Sequence, residues 1–252
     1  MWKRRFKSDC SGQVIIVTAL LVSALLLSTA VSVIEVGKQV PTVDARTSDV
    51  FSAYKQSTTS TLISALANLT DGGNSNVLAV DLNALKTVIL SNSYQALLTM
   101  DYNTLNSNGY QNGLMISCGA NGFGISSACA SFVFASSSPT ASSNLEYALN
   151  VTSTVRFSGN CHQIDDTAKQ VNLTFNVQNE GKNALAQNFT LSYGHGTDWI
   201  QVDSPNTTDF GNGTYTVTFN AESQVSDPMA VSLLCQDLRG ISVGANLTCT
   251  SI

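Results

Sequence analysis

The sequence predicts an α+β protein with one N-terminal transmembrane helix, a short helical neck and a C-terminal antiparallel β-sandwich. Three observations carry this expectation. A basic cluster precedes one uninterrupted apolar run near the N-terminus. Apolar residues beyond it recur at helical spacing. Further on, they alternate strictly with polar residues. The expected division is a cytoplasmic basic leader over 1–13, the membrane helix over 14–36 and a helical neck over 42–105. A loop over 106–128 and the sandwich over 129–252 complete it.

The basic cluster holds Lys3, Arg4, Arg5 and Lys7, and the apolar run extends from Val14 to Ile34 without a charge. At 1.5 Å per residue that run is roughly 31 Å long, one hydrocarbon core. Positive charge stays on the cytoplasmic side, so the N-terminus is expected inside and everything beyond Lys38 outside. The expected location is therefore the cell membrane, with the bulk of the chain extracellular. A secretory signal cut after Ser28-Thr29-Ala30 is a second reading, although the apolar run continues through Val31, Val33 and Ile34. Ala24, Ser28 and Ser32 repeat every four residues, as close helix packing requires, and small residues are also common in any membrane helix.

The stretch SGQVIIVTALLVSALLL resembles the leader of archaeal type IV pilin-like proteins and related short-leader surface proteins. The resemblance implies cleavage at the Gly12–Gln13 junction and an apolar helix that packs with its copies in a filament. Ser11 stands where the family has a charge, and Val17 where many pilins have Glu. Cleavage after Gly12, cleavage after Ala30 and an uncleaved anchor all remain open at this point.

Pro41 ends the membrane-helix pattern. Val50, Phe51, Tyr54, Leu62, Leu66 and Leu69 then mark one helix. The run Asp71-Gly72-Gly73-Asn74 breaks it. Leu78, Leu82, Leu85, Val88, Ile89, Ala96, Leu97 and Met100 form a second one-sided stripe at period 3.6, expected to be core. Two antiparallel helices are the simplest neck. Residues 106–124 are rich in Gly and Asn and read as loop.

Period-2 alternation follows. It covers Ala130 to Ala135, Leu145 to Phe157, Val171 to Val177, Leu185 to Tyr193, Tyr215 to Phe219, Met229 to Cys235 and Ile241 to Cys249. Such strands have one wet and one buried face, and their number argues for an antiparallel sandwich. A fragment beginning near Ser126 is expected to fold alone. The run VNLTFNVQNEGKNALAQNFTLSY, with GNGTYTVTF after it, resembles Ig-like or fibronectin-like modules of microbial surface proteins. That resemblance implies an Ig-like sandwich and leaves function open.

The chain has 12 Lys and Arg against 17 Asp and Glu, with a net charge of -5. No basic stripe for nucleic acid exists. Six cysteines occur; Cys10 precedes the apolar run, which leaves an odd five outside. The expected bridges are Cys161–Cys235 across the core and Cys118–Cys129 around a short loop, with Cys249 left over. Cys235 and Cys249 both lie on the inward phase of the last two strands, but the short turn at Leu238 to Gly240 argues against their pairing, since it leaves them roughly 20 Å apart along the strands. Seven N-x-Thr sequons, at Asn68, Asn150, Asn172, Asn188, Asn206, Asn212 and Asn246, are candidate glycosylation sites. Composition alone gives about five, so placement matters more than number. Asn150, Asn172, Asn188 and Asn246 fall on the polar phase of strands, and Asn206 and Asn212 in a turn-rich gap.

Chemistry is sparse. His162 stands in CHQIDD beside Cys161, Asp165 and Asp166, and His195 in YGHGTDW near Asp198. Neither has metal-ligand spacing, and both fall between predicted strands. Gly124 to Ala128 nearly matches a nucleophile elbow but ends in Ala and lacks strand-turn-helix context. Asp237-Leu238-Arg239-Gly240 reads as a hairpin turn. Four Glu in the whole chain leave little for paired-carboxylate catalysis. No catalytic residue, metal ligand or cofactor is assigned, and no enzyme activity is expected. The expected role is a single-pass surface protein, structural or adhesive: a pilin-like subunit or an envelope-anchored display protein. Its partners are the membrane and, through the apolar helix, its own copies or other envelope proteins. A receptor or solute-binding module that uses the sandwich loops is the alternative.

Overall fold

The computed structural model describes residues 43–91, 97–137, 142–222 and 228–249. The leader, Gly12, Gln13, Cys10, Ala30 and the apolar run lie outside them. Among the described residues no helix is long and apolar enough to cross a membrane. The chain divides into two units, 1–52 and 53–252. What is described of the first, 43–52, is helical.

Helix α1 spans Val43–Thr70 and helix α2 spans Val77–Ser91. Much of α1 is Ser and Thr, which ordinarily weaken helices by competing for backbone groups. Here the hydroxyls of Ser57, Thr59 and Thr61 donate to carbonyls four residues back, so they stay within the helical pattern. Gly72, in the left-handed region at φ 91°, ends α1 and lets the amides of Asp71 and Gly72 reach back to Ala67 and Leu69. The expected helical pair is present. Leu62, Leu66, Leu78, Leu82 and Ile89 of the stripes are buried, but Val88 is 53% exposed.

The remainder is antiparallel β-structure in two sheets, compatible with a sandwich. An eight-stranded sheet runs in the order β1-β3-β4-β5-β10-β9, with β2 also on β3 and β6 also on β5. Its strands are Leu97–Thr104 (β1), Leu114–Cys118 (β2), Phe123–Ser137 (β3), Ser142–Gln163 (β4), Ala168–Asn179 (β5), Lys182–Asn183 (β6), Asn206–Asp209 (β9) and Thr214–Glu222 (β10). A four-stranded sheet runs β12-β11-β7-β8, from Ser242–Cys249 (β12), Met229–Asp237 (β11), Ala186–His195 (β7) and Asp198–Gln201 (β8).

The β1 and β2 strands correct two expectations. The neck does not run to 105, because Leu97–Thr104 pairs with β3 from Leu97↔Ser137 to Thr104↔Ala130. The segment 106–128 is not all loop, because β2 pairs with β3 from Leu114↔Ala128 to Cys118↔Gly124. Leu98 and Met100 are both buried, which is a period-2 pattern, whereas the helical stripe takes Leu97 with Met100. A fragment beginning at Ser126 would start inside β3 and lack β1 and β2 altogether.

The small sheet and the helices pack on one face of the large sheet. On β3 and β4 that face holds Phe132 and Phe134 toward one end and Val155 and Phe157 toward the other. At the first end Tyr54 of α1 stacks on Phe134 at 5.5 Å and Tyr147 stands 5.5 Å from Phe132. The hydroxyls of Thr58 and Tyr147 are hydrogen bonded at 2.9 Å. At the other end Val155, Phe175, Val217, Leu191, Val231 and Leu233 join a common core between the sheets. Burial of each such side chain contributes about 1.5–3 kcal/mol. The junction is polar and tied down. Ser242, which opens β12, donates its amide to Thr70 of α1 at 3.0 Å and accepts the Ser126 hydroxyl at 2.7 Å.

Candidate functional site

The cysteines are arranged differently from the expectation. Cys161, near the end of β4, is bonded to Cys249, the last residue of β12, with a Cα separation of 5.9 Å. The hairpin register explains why Cys235 is not the partner. Met229 lies opposite Cys249, and Cys235 lies opposite Val243. Six residues of strand, roughly 20 Å, separate Cys235 from the position beside Cys249. Cys118 and Cys129 cannot pair either. Cys118 faces Gly124, five residues along β3 from Cys129, or roughly 17 Å.

Cys118 is an exposed thiol, Cys129 is half-buried and Cys235 is fully buried. Burial pushes all three thiols up; Cys235 reaches about 12, with the Asp237 charge adding to the effect. At pH 8 Cys235 is then almost wholly the protonated thiol. Iodoacetamide at that pH is expected to label Cys118 first and Cys235 only after denaturation, as read by peptide mass spectrometry. Native labelling of Cys235 as fast as Cys118 would contradict the packing around it.

The histidines lie on strands rather than between them. His162 is exposed on β4 opposite Gln170, and His195 ends β7 with Nδ1 3.0 Å from the Glu222 carbonyl oxygen. Among the described residues no group of His, Cys, Asp or Glu has the arrangement of a metal site. The elbow-like stretch is the start of β3, and Ser126 is buried with its hydroxyl spent on Ser242. Asp237 is buried in the β11–β12 turn. It accepts the amides of Arg239 and Ile241 and pairs with the Arg239 guanidinium at 2.9 Å. Arg239 also reaches Glu180 at 2.7 Å and donates to the Thr152 carbonyl at 3.1 Å. This network clamps the turn onto β4 and the end of β5.

Of the sequons, Asn68, Asn150, Asn188, Asn206 and Asn212 are exposed, and Asn172 and Asn246 are half-buried. Asn150 accepts hydrogen bonds from Ser127 and from Thr152 of its own sequon. Asn172 accepts one from Thr218. Asn206 lies in β9 rather than in a gap.

The concave feature that composition could not show is an open groove of about 430 Å³ at one side of the two-sheet stack. It lies between the start of β7 and β9 because β8 covers only Ser192 to His195 of β7. Phe189 and Tyr215 line it with rings 6.2 Å apart, and Asp209 and Gln187 supply polar groups. The Tyr215 hydroxyl accepts the Ala186 amide at 2.9 Å. Burial pushes that phenol up, and the charge of Asp209 adds to the effect. Such a groove can hold a small uncharged or cationic ligand. Sequence reasoning missed it because it is created by strand order, with the β8-to-β9 crossing as its sole local signal.

No family model, no curated protein and no solved structure matches the chain.

Proposed function

We propose that the protein is a membrane-anchored surface protein with an Ig-like head, acting in a structural or adhesive role. The observation that carries the reading is the Cys161–Cys249 bridge inside the core of the β-rich region. Structural disulfides persist in oxidising compartments, and the basic leader with its apolar run directs the rest of the chain to one. The strand order supports the Ig-like assignment. The order β4-β5-β10-β9 reproduces the A-B-E-D sheet, and β12-β11-β7-β8 reproduces G-F-C with an added C′. In that correspondence Cys161 sits on strand A and Cys249 on strand G, in opposing sheets, with β3 continuing the large sheet beyond β4. Self-association through the apolar run, and cleavage at Gly12–Gln13, belong to the pilin-like form of this proposal.

Protease added to intact cells is expected to digest the region beyond residue 41 without lysis. Protection of the head until lysis would overturn the outside assignment. N-terminal sequencing of the native protein separates cleavage after Gly12 from cleavage after Ala30 and from an uncleaved anchor. The groove at Phe189 and Tyr215 favours a second reading, a receptor or solute-binding module. Saturable binding of a small solute that is lost in Tyr215→Ala would support it.

A further inference from the structure

The outward face of the four-stranded sheet is chemically uniform. Side chains on it come from alternate positions of β7, β8, β11 and β12. They are Ser, Thr, Asn, Gln, Gly and Ala, with one Leu and one Trp, and none is charged. The outward face of the large sheet differs, carrying Glu146 and Arg156 on β4. Every outward position of the small sheet is exposed or half-exposed.

Two rows cross this face perpendicular to the strands. In the first, Trp199 lies opposite Gly194, Gly194 beside Ala230, and Ala230 opposite Thr248. In the second, Gln201 lies opposite Ser192, Ser192 opposite Ser232, and Ser232 opposite Asn246. Four strands at 4.7–4.9 Å spacing make each row roughly 14 Å long. The first row is a low shelf, because Gly194 and Ala230 stand no higher than a methyl group beside a Trp that is 53% exposed. The second is a line of amides and hydroxyls that both donate and accept.

We propose that this face is a platform for a neutral polysaccharide, with Trp199 as its stacking residue. A pyranose ring presents C–H groups on its faces and hydroxyls at its rim. The C–H face stacks on an indole, and the rim hydroxyls need partners that can donate and accept, as the second row does. A polyanion needs Lys or Arg, which the face lacks, and the net charge of -5 repels one. An uncharged chain desolvates no ion here, and that is the charge match that selects the occupant. The inference names the target class of the adhesive role proposed above and rests on that reading for its biological setting.

The test is affinity gel electrophoresis of the full-length, detergent-solubilised protein in gels cast with yeast mannan, amylopectin, hydroxyethyl cellulose or alginate. At least one neutral polymer is expected to retard the protein. Trp199→Ala should weaken that retardation at least tenfold, and Trp199→Phe should keep most of it. Phe210→Ala, at an exposed turn away from the face, should behave as wild type. Retardation by no neutral polymer, equal retardation of Trp199→Ala, or stronger retardation by alginate would each overturn the proposal. So would a fully occupied glycan on Asn246 in the native protein, because it would overlie the second row. Binding that persists while cellular protease fails to reach the head would instead overturn the display reading and leave the platform standing.

Discussion

Gly124→Ala is expected to destabilise the head by about 3 kcal/mol or more, and Gly124→Val to prevent folding. A Cβ at Gly124 would lie 1.9 Å from the Gly244 carbonyl oxygen and 2.7 Å from its carbon. Both atoms are backbone of β12, so no side chain can swing aside. Relief requires β12 to move away from the large sheet, which would pull on the core around Val243 and Ala245 and on the Ser126–Ser242 hydrogen bond. Gly181→Ala is the matched control. Its φ is +76° and nothing stands within 4 Å of its Cβ position, so only backbone strain of about 1–2 kcal/mol applies. Urea unfolding of the two variants decides the matter. Equal losses would mean that the sheets do not meet backbone to backbone at Gly124.

Removing the Cys161–Cys249 bridge as the double variant Cys161→Ala/Cys249→Ala is expected to cost about 4 kcal/mol. The bonded residues are 88 apart in sequence, and a closed loop near that length restricts the unfolded chain by nearly the largest amount a single bridge delivers. For a chain of this size the loss lowers Tm by roughly 8–16 °C. Cys235→Ala keeps the bridge and removes only a buried sulfur, an expected cost of about 1 kcal/mol. A Cys235→Ala variant as damaged as the double variant, or a Cys161–Cys235 peptide in a non-reducing digest, would show that the bridge is misassigned.

The β-face of the fold was legible because period 2 is a strong local signal. Val171, Leu173, Phe175 and Val177 alternate in sequence and are all buried; so are Met229, Val231, Leu233 and Cys235. The hairpin between β11 and β12 was legible, since the short turn at Leu238 to Gly240 sets Cys235 far from Cys249 along the strands, and Cys235 lies opposite Val243. The helix-to-strand boundary was not. Ala96, Leu97 and Met100 fit a helical stripe, while Leu98, Met100 and Tyr102 fit a strand, and the choice depends on β3 lying alongside. Edge strands such as Lys182–Asn183 and Asn206–Asp209 carry no apolar phase, so periodicity cannot find them. The disulfide expectation failed one level higher. It paired Cys161 with Cys235 across the core, whereas the end of β4 meets the last residue of β12. For the same reason the Phe189–Tyr215 groove and the uncharged rows through Trp199 become visible only once strand order is known.

The continuous run of β3 and β4 bears on how the head comes apart. These strands stay in register from Phe123↔Arg156 to Ser137↔Ser142, beneath both the helices and the small sheet. Neither half can release its cover without stripping one flank from the same ladder. The helical and two-sheet portions are therefore expected to open together, with the amides along the middle of that ladder among the last to exchange with solvent. A protease is thus expected to gain no lasting foothold in the shared strands from partial fraying at either end.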